Sequence, residues 1–288
     1  MRATYDPLFT LKPVAEDVWI VDGPVIRYGM PWPKIPFPTR TTIIRLPDGR
    51  LFVHSPTELT PELRAAIDRI GRPAWIIGPN RIHYWWIPDW AAAWPEAAVY
   101  LAPRIPEQAG DRIRGPFQPL DGPGPWPWDG VLDTMPVAGD FMTEIVFFHR
   151  PSRTLILTDL IENFERERLG SPLLCIACRL GGVLAPHGSM PRDMRLTFRH
   201  NRAGLKSAVE TMIGQAPERV ILAHGRWFET DGTARLRQSF SWLLSCRRGF
   251  QPPLGRGRAP SMNSRTTTAN SSRRDRPGPV SQRMMAPK

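Results

Sequence analysis

The sequence predicts an α/β fold, and three observations carry that expectation. Short apolar runs rich in Ile, Val and Leu recur along the chain, at a length that suits buried strands better than helices. Stretches with helical spacing lie between them, so the order strand, helix, strand appears early. Three of the runs end on polar residues of a metal-binding kind: His83, Asp159 and His224. In layered α/β proteins, ligand sites form just beyond strand ends, where loops converge.

The elements follow in order. Val18-Trp19-Ile20-Val21 reads as a strand. A loop rich in proline follows; Pro31, Pro33, Pro36 and Pro38 exclude a regular helix or a central strand there. Residues 41–46 and 51–54 read as a hairpin with its turn at Asp48-Gly49. Thr60-Pro61 opens a helix, with Leu63, Ile67 and Ile70 at helical spacing and Gly71 as its stop. A strand at 74–78 leads to His83. Residues 88–94 form a short helix, and Trp86, Trp90 and Trp94 fall four apart, the spacing of a core-facing aromatic stripe. A strand at 99–102, a Pro- and Gly-rich loop at 115–130, and a strand pair at 145–148 and 154–158 come next. From Asp159 to about Met212 the chain reads as mostly helical, broken near Gly181-Gly182 and Pro186. The strand at 219–223 and a helix over about 233–244 complete the pattern, and no internal repeat is present.

Hydrophobic residues make up 41% of the 288, enough for a substantial core. No run approaches the roughly 18 apolar residues of a membrane span. The segment Met1 to Leu11 has no long apolar stretch, and three Cys do not make a disulfide framework; both point to the cytosol and away from a membrane. The net charge of +11 is concentrated in residues 245–288, which are rich in Arg, Ser and Pro and poor in aliphatic residues. Such a tail is expected to be disordered. A natural basic tail and a shifted reading frame would each produce it. The expected organisation is thus a domain over 1–244 and a tail over 245–288. The domain is nearly neutral, so nucleic acid is expected to bind only to the tail, and without specificity.

His83 could be a ligand or base, or an imidazole held in a loop beside tryptophans. Asp159 could hold metal or cap a following helix. His224-Gly225 is the sharpest signal, because Gly lets the backbone turn while the imidazole points into a cleft. Cys175-Ile176-Ala177-Cys178 is a single pair in an apolar helical run and reads as packing. Arg192, Arg195 and Arg199 share a helical face. There is no Gly-rich phosphate loop and no Gly-x-Ser-x-Gly elbow.

This order of elements, over about residues 8–244, resembles the metallo-β-lactamase-like fold. The chain is more narrowly similar to an uncharacterised bacterial domain family related to that fold. Four segments carry the likeness: Phe37-Pro38-Thr39-Arg40, Gly78-Pro79-Asn80-Arg81-Ile82-His83, the run from Phe148 to Leu155, and the run from Ala223 to Phe228. The resemblance implies an αββα sandwich of two mixed sheets with outer helices. It also implies a metal site built on His-x-His-x-Asp-His, a further His, a bridging Asp and a last His. If His83 takes the second place of that motif, Arg81, Trp85 and Trp86 stand where three ligands would be. His54-Ser55 replaces the Asp expected after the 51–53 strand, and Asp140 stands where the further His would be. Asp159 and His224 match the last two positions.

Losing three ligands leaves too few donors for a dinuclear centre. The resemblance therefore implies either a degenerate mononuclear site or a metal-free protein that kept the fold. In the first case His83, Asp159, His224 and Asp140, with His54 in reserve, hold one zinc or other divalent ion and hydrolyse a small, ester-like molecule. In the second the protein binds a small molecule or acts as a scaffold, with no metal cofactor.

Overall fold

The computed structural model describes residues 3–28 and 35–245. All but the first residue of the basic tail lies outside these, and so does the tail's expected disorder.

One sheet runs in chain order: Lys12–Ala15 (β1), Val18–Tyr28 (β2), Ile35–Arg45 (β3), Arg50–His54 (β4), Arg72–Gly78 (β5), Ala98–Leu101 (β6) and Gln118–Pro119 (β7). Pairing is antiparallel from β1 to β4 and parallel from β4 to β7. The second sheet holds Leu132–Ala138 (β8), Thr143–His149 (β9), Thr154–Ile156 (β10) and Arg219–Ile221 (β11), in the order β11-β10-β9-β8. Only β10 and β11 are parallel there. Pro61–Ile70 (α1) crosses from β4 to β5, and Ile87–Ala93 (α2) from β5 to β6. Ile105–Ala109 is α3. Arg166–Leu169 (α4), Pro172–Gly181 (α5), Arg192–Thr197 (α6) and Arg202–Gly214 (α7) separate β10 from β11; Gly232–Ser239 (α8) and Ser241–Leu244 (α9) follow. No helix among the described residues is long and apolar enough to cross a membrane.

Alternation along the strands explains the layers. Ile145 and Phe147 of β9 join a core with Ile43, Phe52 and Ile77 of the first sheet. Their neighbours Val146 and Phe148 join a second core with Leu205, Val209 and Met212 of α7 and Leu236 of α8. Successive side chains point to opposite faces, so the second sheet is buried on both. The result is two mixed sheets packed face to face with helices outside.

Several elements match the sequence reading closely. Thr60 caps α1 by accepting from the Leu63 N–H at 3.2 Å, and Leu63 and Ile67 are buried. Gly49 turns the β3–β4 hairpin with φ of +83°. Trp90 and Trp94 are core residues. Two expectations need correction. β3 begins at Ile35 and contains Pro36 and Pro38. Pro38 pairs with Val25 and Pro36 with Arg27, while β4 reaches only residues 42–45, so this half of β3 has one open side where a missing N–H breaks no ladder. The stretch after Asp159 is not continuously helical. Residues 162–164 run extended, forming bridges to Ser189, Gly225 and Leu184, because their backbone pairs with the segment between α5 and α6 and with the loop that follows β11.

Candidate metal centre

Three strand ends meet at one rim of the sandwich. Beyond β5, Asn80 makes a tight turn: its side-chain oxygen accepts from Ile82 N–H at 3.0 Å and its carbonyl from His83 N–H at 3.1 Å. That turn delivers His83. Beyond β10, Glu144 fixes the chain. Its carboxylate accepts the backbone N–H groups of Thr158, Asp159 and Leu160 at 2.7, 2.8 and 3.0 Å. Asp159 is thereby aimed inward. Beyond β11, the chain turns at Gly225, whose φ is +86° and where a Cβ would lie 2.2 Å from the Asn163 carbonyl oxygen. Only glycine fits, so His224 is followed by the one residue that allows the turn.

Arg40 locks this loop to the first sheet. Its guanidinium donates to the carbonyls of Leu222 and Gly225 at 2.6 and 3.0 Å, and pairs with Asp22 at 2.7 Å. All of these groups are buried, and the charge is balanced by Asp22, which also holds Lys12.

The three side chains face one another. His83 Nε2 lies 3.1 Å from Asp159 Oδ2, His224 Nε2 lies 3.2 Å from Asp159 Oδ1, and the two Nε2 atoms are 3.2 Å apart. No other side chain fits between them at these separations. Exposure is 8% for the His83 side chain and 3% for the other two, so water screens the group little. Among the described residues this is the one group of three or more His, Cys, Asp or Glu close enough to share an ion. Asp140 is not brought to it. That carboxylate lies on the surface and pairs with His200 Nδ1 at 2.7 Å. His54 ends β4 in the core beside Phe147, and its Nε2 is buried without a partner.

The outer nitrogens of the pair are also held. His224 Nδ1 donates to the Pro38 carbonyl at 2.8 Å, which turns Nε2 inward. His83 Nδ1 lies 2.7 Å from Ser55 Oγ. Asn80 donates to Asp159 Oδ2 at 2.5 Å. Two imidazole nitrogens and two carboxylate oxygens in such contact cannot all present lone pairs; protons or a metal ion must lie among them. The donor set suits a zinc-like ion. Ligands of a tetrahedral centre with bonds of about 2.0–2.1 Å stand roughly 3.3 Å apart, close to the separations here, and both outer nitrogens have the partners that orient metal-bound histidines.

Electrostatics follow from burial. Desolvation opposes ionisation of Asp159, yet His83 and His224 beside it outweigh that and hold its carboxyl below the usual range. Burial, then the Asp159 charge, push Glu144 up to about 7 against the pull of its N–H donors. Burial, with a contribution from His83, takes His54 down to about 3.

A narrow cleft of about 20 Å³ reaches His83 and His224, room for about one water-sized group. Ser55, Ile26, Ile82, Tyr84, Trp85 and Trp86 are among its walls. Larger clefts, of about 440 and 480 Å³, touch none of the three clustered residues.

Glu144, Asn80, Arg40 and Ser55 escaped the sequence reading as site residues. Signals existed for two of them: a lone carboxylate opening the apolar run Ile145 to Phe148, and an Asn between Pro79 and the histidine loop.

No family model matches the chain, and no curated protein sequence matches it. Solved structures do. The metallo-β-lactamase DIM-1, exposed to ceftazidime, superposes with a TM-score of 0.55 at 14% identity, over 82% of this chain and 97% of that one. A metallo-β-lactamase from Pontibacter korlensis gives 0.52 at 12%, over 81% and 98%. The mono-zinc form of FIM-1 from Pseudomonas aeruginosa gives 0.51 at 13%, over 82% and 96%. At such identities the likeness is one of architecture, and with the two sheets described above it gives this chain a metallo-β-lactamase-like αββα fold.

Proposed function

We propose that the chain is a divergent metallo-β-lactamase-like hydrolase whose reduced site holds one divalent ion, acting on a small, ester-like molecule. The observation that carries this reading is the cluster of His83 Nε2, Asp159 and His224 Nε2 within 3.2 Å of one another. His83 and His224 would supply nitrogen donors and Asp159 an oxygen donor. A bound zinc-like ion would supply Lewis acidity and lower the pKa of water at neutral pH. With an ion bound, Ser55 and the Pro38 carbonyl would accept from the outer imidazole nitrogens and set the tilt of each ring. Glu144 and Asn80 hold Asp159 in place. The apolar walls of the cleft would keep bulk water away from a bound ion and admit a small group. Asp140 is left out of the proposed set, because it serves His200 on the surface.

A second reading, a metal-free protein on the same fold, is favoured by one feature: the two Asp159 oxygens each take one imidazole, an arrangement that protons can satisfy. Elemental analysis of the gently purified full chain separates the two. About one ion per chain is expected; none, with none taken up from added zinc, would remove the metal reading.

The folded unit is proposed to end near Leu244. A chain ending there is expected to keep the thermal midpoint of the full chain, and any affinity for nucleic acid is expected to leave with the tail and to fall steeply with salt. Cytosolic residence is proposed from the free thiols of Cys175 and Cys178; fractionation of cells would test it.

A further inference from the structure

Ser55 sits at the rim beside the clustered histidines. It follows the last residue of β4 and has φ of +53°, a left-handed conformation that a serine rarely adopts without enforcement. The strain is held by the Ser55 N–H bond to the Ile77 carbonyl at 3.0 Å and by Pro56 behind it. Its Oγ lies 2.7 Å from His83 Nδ1, and the far nitrogen of the same ring lies 3.1 Å from Asp159. Hydroxyl, imidazole and carboxylate therefore stand in line, and Ser55 and His83 both border the cleft. The geometry points to a second activity in the metal-free protein: Ser55 is a nucleophile toward small, uncharged acyl esters, with His83 as its base and Asp159 orienting the ring. This rests on the hydrolase reading of the site but not on its metal.

The two activities exclude each other through one ring. With an ion on His83 Nε2, Nδ1 carries the hydrogen and Ser55 accepts it. With a hydrogen on Nε2 toward Asp159, Nδ1 is bare and Ser55 donates to it. In that state Ser55 Oγ bonds to the ester carbonyl carbon, its proton passes to His83 Nδ1, and the carbonyl π pair moves to oxygen. The bond to the leaving alcohol then breaks and the alcohol takes the proton from Nδ1. Water adds to the acyl carbon, gives a proton to Nδ1, and Ser55 leaves with that proton returned. The net change is ester plus water to acid plus alcohol. The nearest backbone donors are already engaged, Ser55 N–H to Ile77 and Thr57 N–H to Thr41 Oγ1. The indole N–H of Trp85, a wall of the same cleft, is buried without a partner. With room for about one water-sized group, the cleft restricts the acyl group to the smallest.

The chain contains its own control. Ser152 Oγ also lies 2.7 Å from a histidine nitrogen, His149 Nδ1, but no carboxylate bonds the far side of that ring among the described residues. The test treats the full chain, stripped with a chelator, with methanesulfonyl fluoride, and locates the adduct by peptide mass spectrometry. A single sulfonyl group on Ser55 is expected, formed at least a hundredfold faster than on Ser152. The rate should fall at least a hundredfold in His83→Gln and about tenfold in Asp159→Asn. Thermal midpoints show whether these variants are folded, and the Ser55-to-Ser152 ratio in the unaltered chain needs no variant. If zinc binds, it should protect Ser55. No adduct, equal labelling of Ser55 and Ser152, or undiminished labelling in folded His83→Gln would overturn the proposal. Zinc uptake without labelling would leave the metal reading standing and remove this one alone.

Discussion

Two aspartates in this protein each hold histidine, and the contrast between them separates a site from a surface contact. Asp140 and His200 meet at 2.7 Å with side chains 47% and 66% exposed. Asp159 meets His83 and His224 at longer distances, 3.1 and 3.2 Å, with all three side chains nearly buried. The shorter contact is the weaker one, because water competes for both partners and screens their charges. What makes Asp159 different is its surroundings: Glu144 fixes its backbone, Asn80 takes one oxygen, and each imidazole is held from behind.

Replacing the buried carboxylate should give the largest effect. Asp159→Ala leaves two inward-facing imidazoles without their acceptor and takes one of two acceptors from the Asn80 amide, and is expected to cost about 4 kcal/mol in denaturant unfolding. A loss below about 1 kcal/mol would mean that the cluster is not coupled to the fold. Glu144→Ala comes next. Three buried N–H groups lose their acceptor, for roughly 3 kcal/mol, offset in part because burial disfavours this carboxylate's charged form.

His54 gives a third, pH-dependent effect, since this imidazole is held by neither aspartate. Burial puts its folded pKa at about 3, below its ordinary 6.5, so the unfolded chain binds the extra proton. Its contribution is whole above about pH 6.5 and is lost as pH falls toward 3. At pH 5 the loss is roughly 2 kcal/mol, and His54→Gln should flatten the stability profile between pH 6.5 and 5. An unchanged slope would show that another group sets the acid limb. Smallest is the surface pair: Asp140→Ala and His200→Ala should each stay within about 0.5 kcal/mol and leave metal uptake unchanged. A loss of metal in Asp140→Ala would return that residue to the site.

The sequence made part of this legible. Short aliphatic runs marked β5, β9, β10 and β11, because a strand buried on both faces needs little else. His83, Asp159 and His224 stood out because each breaks such a run at its end. Asp140 matches a ligand's place along the chain only, and spacing along a chain says nothing about the side of the sheet a loop falls on. Glu144 was hidden for a related reason: its partners are three N–H groups 14 to 16 residues away, which no local pattern announces. The Ser55–His83 contact joins two loops 28 residues apart, and depends on a backbone angle at Ser55 that residue type would not suggest.

The central claim, that His83, Asp159 and His224 form one cation site, is tested most directly by titrating the chelator-stripped full chain with Co²⁺ and recording its visible absorption. One equivalent should produce the intense bands of a four-coordinate ion, and His224→Ala should lose them while Asp140→Ala keeps them. A spectrum of hexa-aquo cobalt at every ratio, or bands that persist unchanged in His224→Ala, would contradict the account.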